Sequence, residues 1–175
     1  MPIERLAPDV LLQQTNLSGA VTDIDDDPDA PDAAWLTAPG SNSNTAARTS
    51  FPSPSGNLIT GAGLQEFRVQ VRKTNHSTDP SAVVELWEAG ALVATVIGST
   101  AISSTIGQIL AGAFDASLLA DISGAGVECL VAGTVGGGAP ANRASVEVGA
   151  VEWNAEVVAQ NIFTRFHRFV PQEVF

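Results

Sequence analysis

The sequence predicts an all-β domain, an antiparallel β-sandwich of jelly-roll-like type with an extended arm at each end. Apolar and polar residues alternate with a period of two in several segments, and helical periodicity does not recur. Clusters of Gly, Pro, Ser and Asn separate these segments at strand-length intervals. With 45% hydrophobic and 15% charged residues, the chain of 175 residues can bury the inner faces of two packed sheets.

The predicted strands follow this alternation in chain order. Phe67, Val69 and Val71 alternate with polar residues, which is typical of a strand with one buried face. Residues 88–91 include a glycine suited to a short hairpin turn, and Asp115 is a good N-cap for one helical turn. We expect strands near residues 17–24, 34–38, 45–51, 64–73, 82–89, 92–97, 106–114, 126–134 and 144–158.

The chain is expected to divide into an arm at 1–16, a sandwich at 17–158 and an arm at 159–175. The first arm is predicted to be extended or to hold a short helix over 9–14. Aromatic residues with interleaved arginines, as in the second arm, are typical of interface cores. We therefore expect it to dock on a partner; the alternative is a last strand of the chain's own core. The expected anchors are Phe163, Arg165, Phe166, Arg168, Phe169 and Phe175.

Composition excludes several classes of function. The formal net charge of −11 with a single lysine, Lys73, argues against nucleic acid, which requires clustered basic residues. No run approaches the ~18 apolar residues of a membrane span, and the N-terminus does not resemble a signal peptide. One cysteine, Cys129, forms neither an internal disulfide nor a cysteine-based zinc site, so we expect a small buried hydrophobe.

The segment 22–32 holds six carboxylates and two prolines. Closely spaced carboxylates can wrap Ca²⁺, and Asp23, Asp25 and Asp27 are the candidate ligands. However, Pro28 stands where an EF-hand loop has its turn glycine. The favoured alternative is a loop whose aspartates cap their own turns, so that no cofactor is expected. A further alternative is an acidic patch that meets a basic partner.

No catalytic constellation is apparent, and we expect no enzyme activity. The sequence holds no nucleophile, zinc-hydrolase or nucleotide-binding motif. Glu147, Glu152 and Glu156 are the conceivable sources of a glycosidase acid and base. The opposite parity of Glu147 and Glu152 directs these two to different faces of a regular strand, unless a bulge at Gly149 intervenes.

Three segments resemble small β-sandwich virion proteins of tailed bacteriophages. They are 22–36 (Thr-Asp-Ile-Asp-Asp-Asp-Pro-Asp, then Pro31-Asp32 and Trp35-Leu36), 65–73 (Gln-Glu-Phe-Arg, then Val71-Arg-Lys73) and 145–155 (Ser-Val-Glu-Val-Gly-Ala-Val-Glu-Trp-Asn-Ala). The resemblance implies a capsid decoration or cement protein that binds and stabilises the head shell. It also implies the major capsid protein or other virion subunits as partners, a homo-oligomer such as a trimer, and assembly into the virion in the host cytoplasm.

Two alternatives stay open. One is a carbohydrate-binding module of a tail fibre or host-attachment device, with Trp35, Trp87 and Trp153 stacking on sugar rings. The absence of tyrosine counts against this alternative, and such tryptophans more often pack in a core. The other is a structural protein of the tail or neck.

Overall fold

The computed structural model describes residues 2–40 and 42–159, which form two antiparallel sheets and three short 3-10 turns. One sheet has the strand order β1-β9-β4-β7 and the other β2-β3-β8-β5-β6. The strands are β1 (Ile3–Leu6), β2 (Val10–Thr15), β3 (Thr45–Ser50), β4 (Gln65–Lys73), β5 (Ser81–Glu88), β6 (Ala91–Ala101), β7 (Gln108–Phe114), β8 (Val127–Thr134) and β9 (Val146–Glu156).

This arrangement is a jelly roll with one added strand. If β2 is set aside, the remaining eight strands form two four-stranded sheets that exchange strands along the chain, as in a double Greek key. Strand β2 extends the second sheet by pairing with β3. The predicted fold class, an all-β antiparallel sandwich, is confirmed.

Seven predicted strands correspond to β3–β9, with bounds that differ by a few residues. The segments 17–24 and 34–38 differ from the prediction because they form only isolated bridges and a 3-10 turn, Val21–Asp23. The Asp23 carboxylate accepts a hydrogen bond from the Ala20 amide at 2.8 Å, which closes this turn where a strand would continue.

The first sixteen residues are extended, as one of the two predictions had it, but they are not a free arm. Strand β1 pairs with β9, and β2 pairs with β3, so each becomes the edge of a sheet. The alternative of a helix over 9–14 is wrong. Leu11 packs against the core, and this burial offsets the cost of ordering the segment.

The core between the sheets is built on an aromatic cluster. The ring of Phe67 lies 5.7 Å from that of Phe51 and 5.0 Å from that of Phe114, between ring centroids. Trp153 packs edge-on against Phe51 and is fully buried. Cys129 is buried, as predicted, and burial raises the pKa of its thiol.

The two predicted turns occur where the sequence places them. Ala89 and Gly90 adopt φ values of 48° and 83° in the hairpin between β5 and β6, which is the left-handed pair that a tight turn requires. Asp115 accepts a hydrogen bond from the Ser117 amide and caps the turn Ala116–Leu118. In the described part of the chain, no helix has the length and apolarity to cross a bilayer.

Candidate functional site

The two sheets have outer surfaces of very different character. On the four-stranded sheet, residues 25–35 fold back over β9 and β4, and we call this surface the closed face. The Trp35 ring fills the space above Gly149, where an added β-carbon would approach the ring to 2.7 Å. Arg72 covers the Trp35 ring at 4.1 Å from its centroid. This surface is therefore occupied by the chain itself.

Ion pairs fasten the covering segment to the closed face. Arg68 Nη2 lies 2.7 Å from Asp29 Oδ1, and Arg68 Nη1 lies 3.4 Å from Glu152 Oε1. Arg5 Nη1 lies 2.9 Å from Asp27 Oδ2. The hydrogen bond from Arg68 lowers the pKa of Asp29, whereas burial raises the pKa of Glu152 despite its two arginine neighbours.

The structure corrects the parity argument for Glu147 and Glu152. The β4–β9 register shifts at Gly149, so Glu147 pairs with Arg72 and Glu152 with Arg68, on the same outer face. Their partners are four residues apart on β4, which is about 13 Å at a rise of roughly 3.3 Å per residue. That separation exceeds the spacing of glycosidase carboxylates. The two glutamates thus form ion pairs that stabilise the closed face.

The aspartates proposed for calcium hold backbone turns or ion pairs. Asp23 accepts from the Ala20 amide, and Asp27 accepts from the Asp29 amide at 2.9 Å and pairs with Arg5. Within residues 2–40 and 42–159, no three His, Cys, Asp or Glu side chains are grouped as ligands for a metal ion. Asp25 lies in the same segment and has no role in these contacts.

The outer surface of the five-stranded sheet carries a second group of aromatic and polar side chains, and we call it the open face; at its centre Glu128 and Leu130 are 6% and 9% exposed. Its residues follow from the strand register in two neighbouring rows. One row crosses five strands as Val10, Ser50, Glu128, Trp87 and Leu92. The next row crosses five strands as Gln13, Arg48, Leu130, Glu85 and Thr95. Aromatic, acidic, basic and hydroxyl side chains therefore share one surface.

Four of these side chains form a connected cluster. The guanidinium carbon of Arg48 lies 4.9 Å from the centroid of the Trp87 ring. Trp87 Nε1 donates a hydrogen bond to Glu85 Oε2 at 2.9 Å. Glu128 Oε1 accepts from the Gly90 amide at 3.0 Å, which ties the cluster to the β5–β6 turn. Arg48 lies farther from its ring than Arg72 does from Trp35, so the Trp87 ring is less tightly covered.

An ion pair holds the cluster together. Arg48 Nε and Glu128 Oε2 lie 3.4 Å apart and form this pair. Both atoms are buried. The pair therefore fixes the Arg48 guanidinium beside the Trp87 ring. The open face thus combines an aromatic ring with charged side chains that can donate and accept hydrogen bonds.

The three tryptophans do not form one platform. Trp153 belongs to the core, Trp35 lies on the closed face, and Trp87 lies on the open face. The residues predicted to anchor the C-terminal arm (Phe163, Arg165, Phe166, Arg168, Phe169 and Phe175) lie outside the described residues.

Arg48 and Glu128 are not among the predicted site residues, although local parity identifies both as outward-facing. Arg48 stands between Ala47 and Thr49, which face the core, and Glu128 stands between Val127 and Cys129. A charged residue at the outward positions of otherwise apolar strands was the available signal. Their proximity was not readable, because it depends on the pairing of β3 with β8.

A cleft of about 440 Å³ lies at the end of the sandwich where the described chain stops. Ser, Pro, Gly and Asn residues of 53–57 line it together with Ser123, Val158 and Ala159. It contains no titratable side chain among these lining residues, so it offers no group for acid–base chemistry.

No protein-family model and no curated protein sequence matches this chain. Among solved structures, the C-terminal CBM6 of LamC, a marine laminarinase from Zobellia galactanivorans, has a TM-score of 0.40 and 8% identity, covering 87% of this chain and 99% of that one. The CBM22-1 xylan-binding domain of Paenibacillus barcinonensis Xyn10C has a TM-score of 0.37 and 11% identity, covering 90% and 97%.

The enzymatically active domain of tailspike protein 4 from bacteriophage CBA120 has a TM-score of 0.36 and 11% identity. It covers 89% of this chain, which spans 19% of that structure. Likenesses of this strength carry no information about ligand or activity. The function must be argued from the chain's own residues.

Proposed function

We propose that this chain is a non-catalytic binding module that takes a carbohydrate on its open face. The observation that carries the proposal is the cluster of Trp87, Arg48 and Glu85, in which the indole ring lies beside a guanidinium group and donates a hydrogen bond to a carboxylate. An indole ring offers a flat apolar surface to the C–H face of a pyranose. Arginine and carboxylate side chains supply the donors and acceptors that sugar hydroxyls require.

The arrangement suits an extended chain of sugars better than a small enclosed ligand. The open face is the broad surface of a five-stranded sheet, and the two rows of residues described above run across its strands. Gln13, Glu85 and Thr95 continue the polar row on both sides of Leu130. A polysaccharide lying across the strands would meet Trp87 in one row and these polar groups in the other.

Affinity electrophoresis tests the proposal. The full chain is run through gels that contain xylan, a β-1,3-glucan, dextran, alginate or bacterial lipopolysaccharide. We expect one of these polysaccharides to retard the protein and Trp87→Ala to weaken the interaction at least tenfold. Truncation of a buried aromatic anchor typically costs about 2 kcal/mol, and ~1.4 kcal/mol is a tenfold change in affinity.

Trp35→Ala is the matched control, since it removes the same side chain from the closed face. It should leave the retardation unchanged, provided that its melting curve shows a folded protein. Equal retardation of the wild type and Trp87→Ala would contradict the open-face site. Absence of retardation in every gel, followed by no binding on a broad glycan array, would contradict carbohydrate binding itself.

A virion structural role is the second candidate, favoured by one specific observation. The segments that resemble phage virion proteins supply Asp29, Arg68 and Glu152, which meet on the closed face. The resemblance therefore follows a set of interacting residues and not unrelated stretches of sequence. In this proposal the chain decorates a capsid or belongs to a tail or neck, with other virion subunits as partners. A carbohydrate site is compatible with it.

Immunolabelling of particles from lysed host cells separates these locations. An antibody against this chain is expected to label heads if the protein is a decoration or cement subunit. Label on tails or fibres would favour the tail, neck or host-attachment alternatives. Unlabelled particles, with the protein remaining in the soluble fraction, would contradict a virion role.

A further inference from the structure

The longest stretch without a charged residue runs from Ala89 to Phe114. It includes neither histidine nor proline, although the whole chain carries a net charge of −11. The stretch comprises β6, β7 and their connection, and we call the surface they form the neutral side. No other stretch of this length in the chain lacks charged residues.

The neutral side is a continuous surface of the sandwich. Strand β6 is the last strand of the five-stranded sheet and β7 the last of the four-stranded sheet. A β-carbon added to Gly112 of β7 would overlap Ile97 of β6, so the two edge strands lie directly against each other. Their outward backbone groups have no strand neighbour among the described residues.

The neutral side is also apolar where it meets solvent. Ile106 is 86% exposed and Ile109 is 40% exposed. Edge strands are normally protected by charged residues or proline, because free edges recruit other chains. The opposite edges show that protection: β1 contains Glu4 and Arg5, and Pro8-Asp9 precedes β2. The neutral side has neither device.

We infer that the neutral side is the contact between two copies of this chain. Two molecules of net charge −11 repel each other over most orientations, and β6 and β7 are edge strands without charged side chains, the neighbouring Glu66, Glu85 and Glu88 lying one strand farther in. A basic partner would gain more from the acidic parts of the surface. Residues 89–114 therefore fit a self-complementary contact in which the same patch serves both subunits.

The contact does not depend on the carbohydrate proposal. If both hold, a dimer would bind a polysaccharide with a higher apparent affinity than a monomer. A pair of modules bound to one polysaccharide has an increased apparent affinity without any new contact to the sugar. Strand β6 contributes Leu92 and Thr95 to the open face, whereas Ile106 and Ile109 lie outside those rows, so variants at Trp87 and at Ile106 separate the two proposals.

Sedimentation of the full chain at about 1–100 µM tests the contact, since this range covers micromolar affinities. We expect a monomer–dimer equilibrium that strengthens as salt is raised, because salt screens the repulsion between acidic subunits while leaving the apolar contact intact. A contact made of ion pairs would weaken instead. A monomer at every concentration and salt would overturn the inference.

Ile106→Glu and Ile109→Glu locate the contact, and Leu12→Glu is the matched control. Leu12 is 43% exposed on the opposite edge of the sandwich, and its substitution adds the same charge. We expect the dimer dissociation constant to rise at least tenfold for Ile106→Glu and Ile109→Glu and to stay within twofold for Leu12→Glu. Melting curves confirm folding in each case. Unchanged dimerisation of Ile106→Glu and Ile109→Glu, or equal weakening by Leu12→Glu, would overturn the inference.

Discussion

Asp115 illustrates how one side chain joins two segments of the sandwich. Its Oδ1 atom accepts hydrogen bonds from the Ser117 amide at 2.8 Å and the Gly61 amide at 2.9 Å. These backbone donors favour the charged carboxylate and lower its pKa. The N-cap role was readable from the sequence, whereas the bond to Gly61 bridges 54 residues and depends on the fold.

Asp115→Asn should reduce stability in a pH-dependent way. Because the folded pKa of Asp115 lies below the unfolded value, its charge stabilises the fold above about pH 4 and loses this effect as pH falls through the folded pKa. The urea midpoints of wild type and Asp115→Asn should therefore differ most near neutral pH and converge in acid. A gap that stays constant from about pH 7 to pH 2 would contradict the assignment.

Gly149 shows the limit of reading side-chain direction from alternation. A bulge at Gly149 is the one exception to the parity of a regular strand, and this bulge occurs. No local signal decides it, because the bulge is accommodated by the Trp35 ring, which arrives from a segment more than one hundred residues earlier. The apparent conflict between Glu147 and Glu152 followed from this one residue.

At the scale of elements, β9 is buried on both faces, although its sequence alternates like a strand with one wet face. Its inner residues pack in the core. Its outer residues are covered by residues 25–35 and by arginines of β1 and β4. Alternation predicted the strand itself, but the cover could not be predicted because it comes from an acidic segment with no apolar pattern of its own.

The acidic segment should be fastened by arginine and not by a metal ion. Arg68→Ala removes the partners of Asp29 and Glu152 and leaves the buried Glu152 with less compensation, so we expect a loss of about 3 kcal/mol in unfolding free energy. Excess chelator should leave the melting temperature of the wild type unchanged. A large fall on chelation would establish a bound cation, and a neutral Arg68→Ala would show that the pairs are dispensable.

The edges of the two sheets were the least predictable elements. Residues 3–15 have few features of a strand in isolation, since Gln13, Gln14 and Thr15 are all exposed in β2. They become strands because β3 and β9 offer unpaired edges. Pairing with strands distant in sequence thus determines the conformation of these residues, which local propensity does not specify.

At the scale of the whole molecule, charge is divided unevenly along the chain. Residues 1–159 contain six of the eight basic and eighteen of the nineteen acidic residues, a formal charge of 6 − 18 = −12, whereas 160–175 have a charge of +1. The C-terminal segment is thus basic and aromatic beside an acidic sandwich. The fold class was predictable from composition and periodicity, but this division says nothing of which surface the segment meets.

Deletion of residues 161–175 should leave the sandwich folded, because both sheets and their core are complete among the described residues. We expect nearly unchanged far-ultraviolet circular dichroism and melting temperature, an intact pair contact, and loss of any higher assembly or incorporation into particles. The full chain serves as the control. Immediate unfolding or aggregation of the shortened chain would place the segment in the protein's own core.

Cys129 gives the molecule an internal reporter of its own opening. Its thiol is buried on β8, between β3 and β5 at the centre of the five-stranded sheet, so reagents reach it only when strands separate. The rate of alkylation by iodoacetamide in native buffer therefore measures how often the sandwich opens. Since the chain has a single cysteine, one mass-spectrometric peak follows this rate, and a ligand on the open face would slow it in proportion to its occupancy.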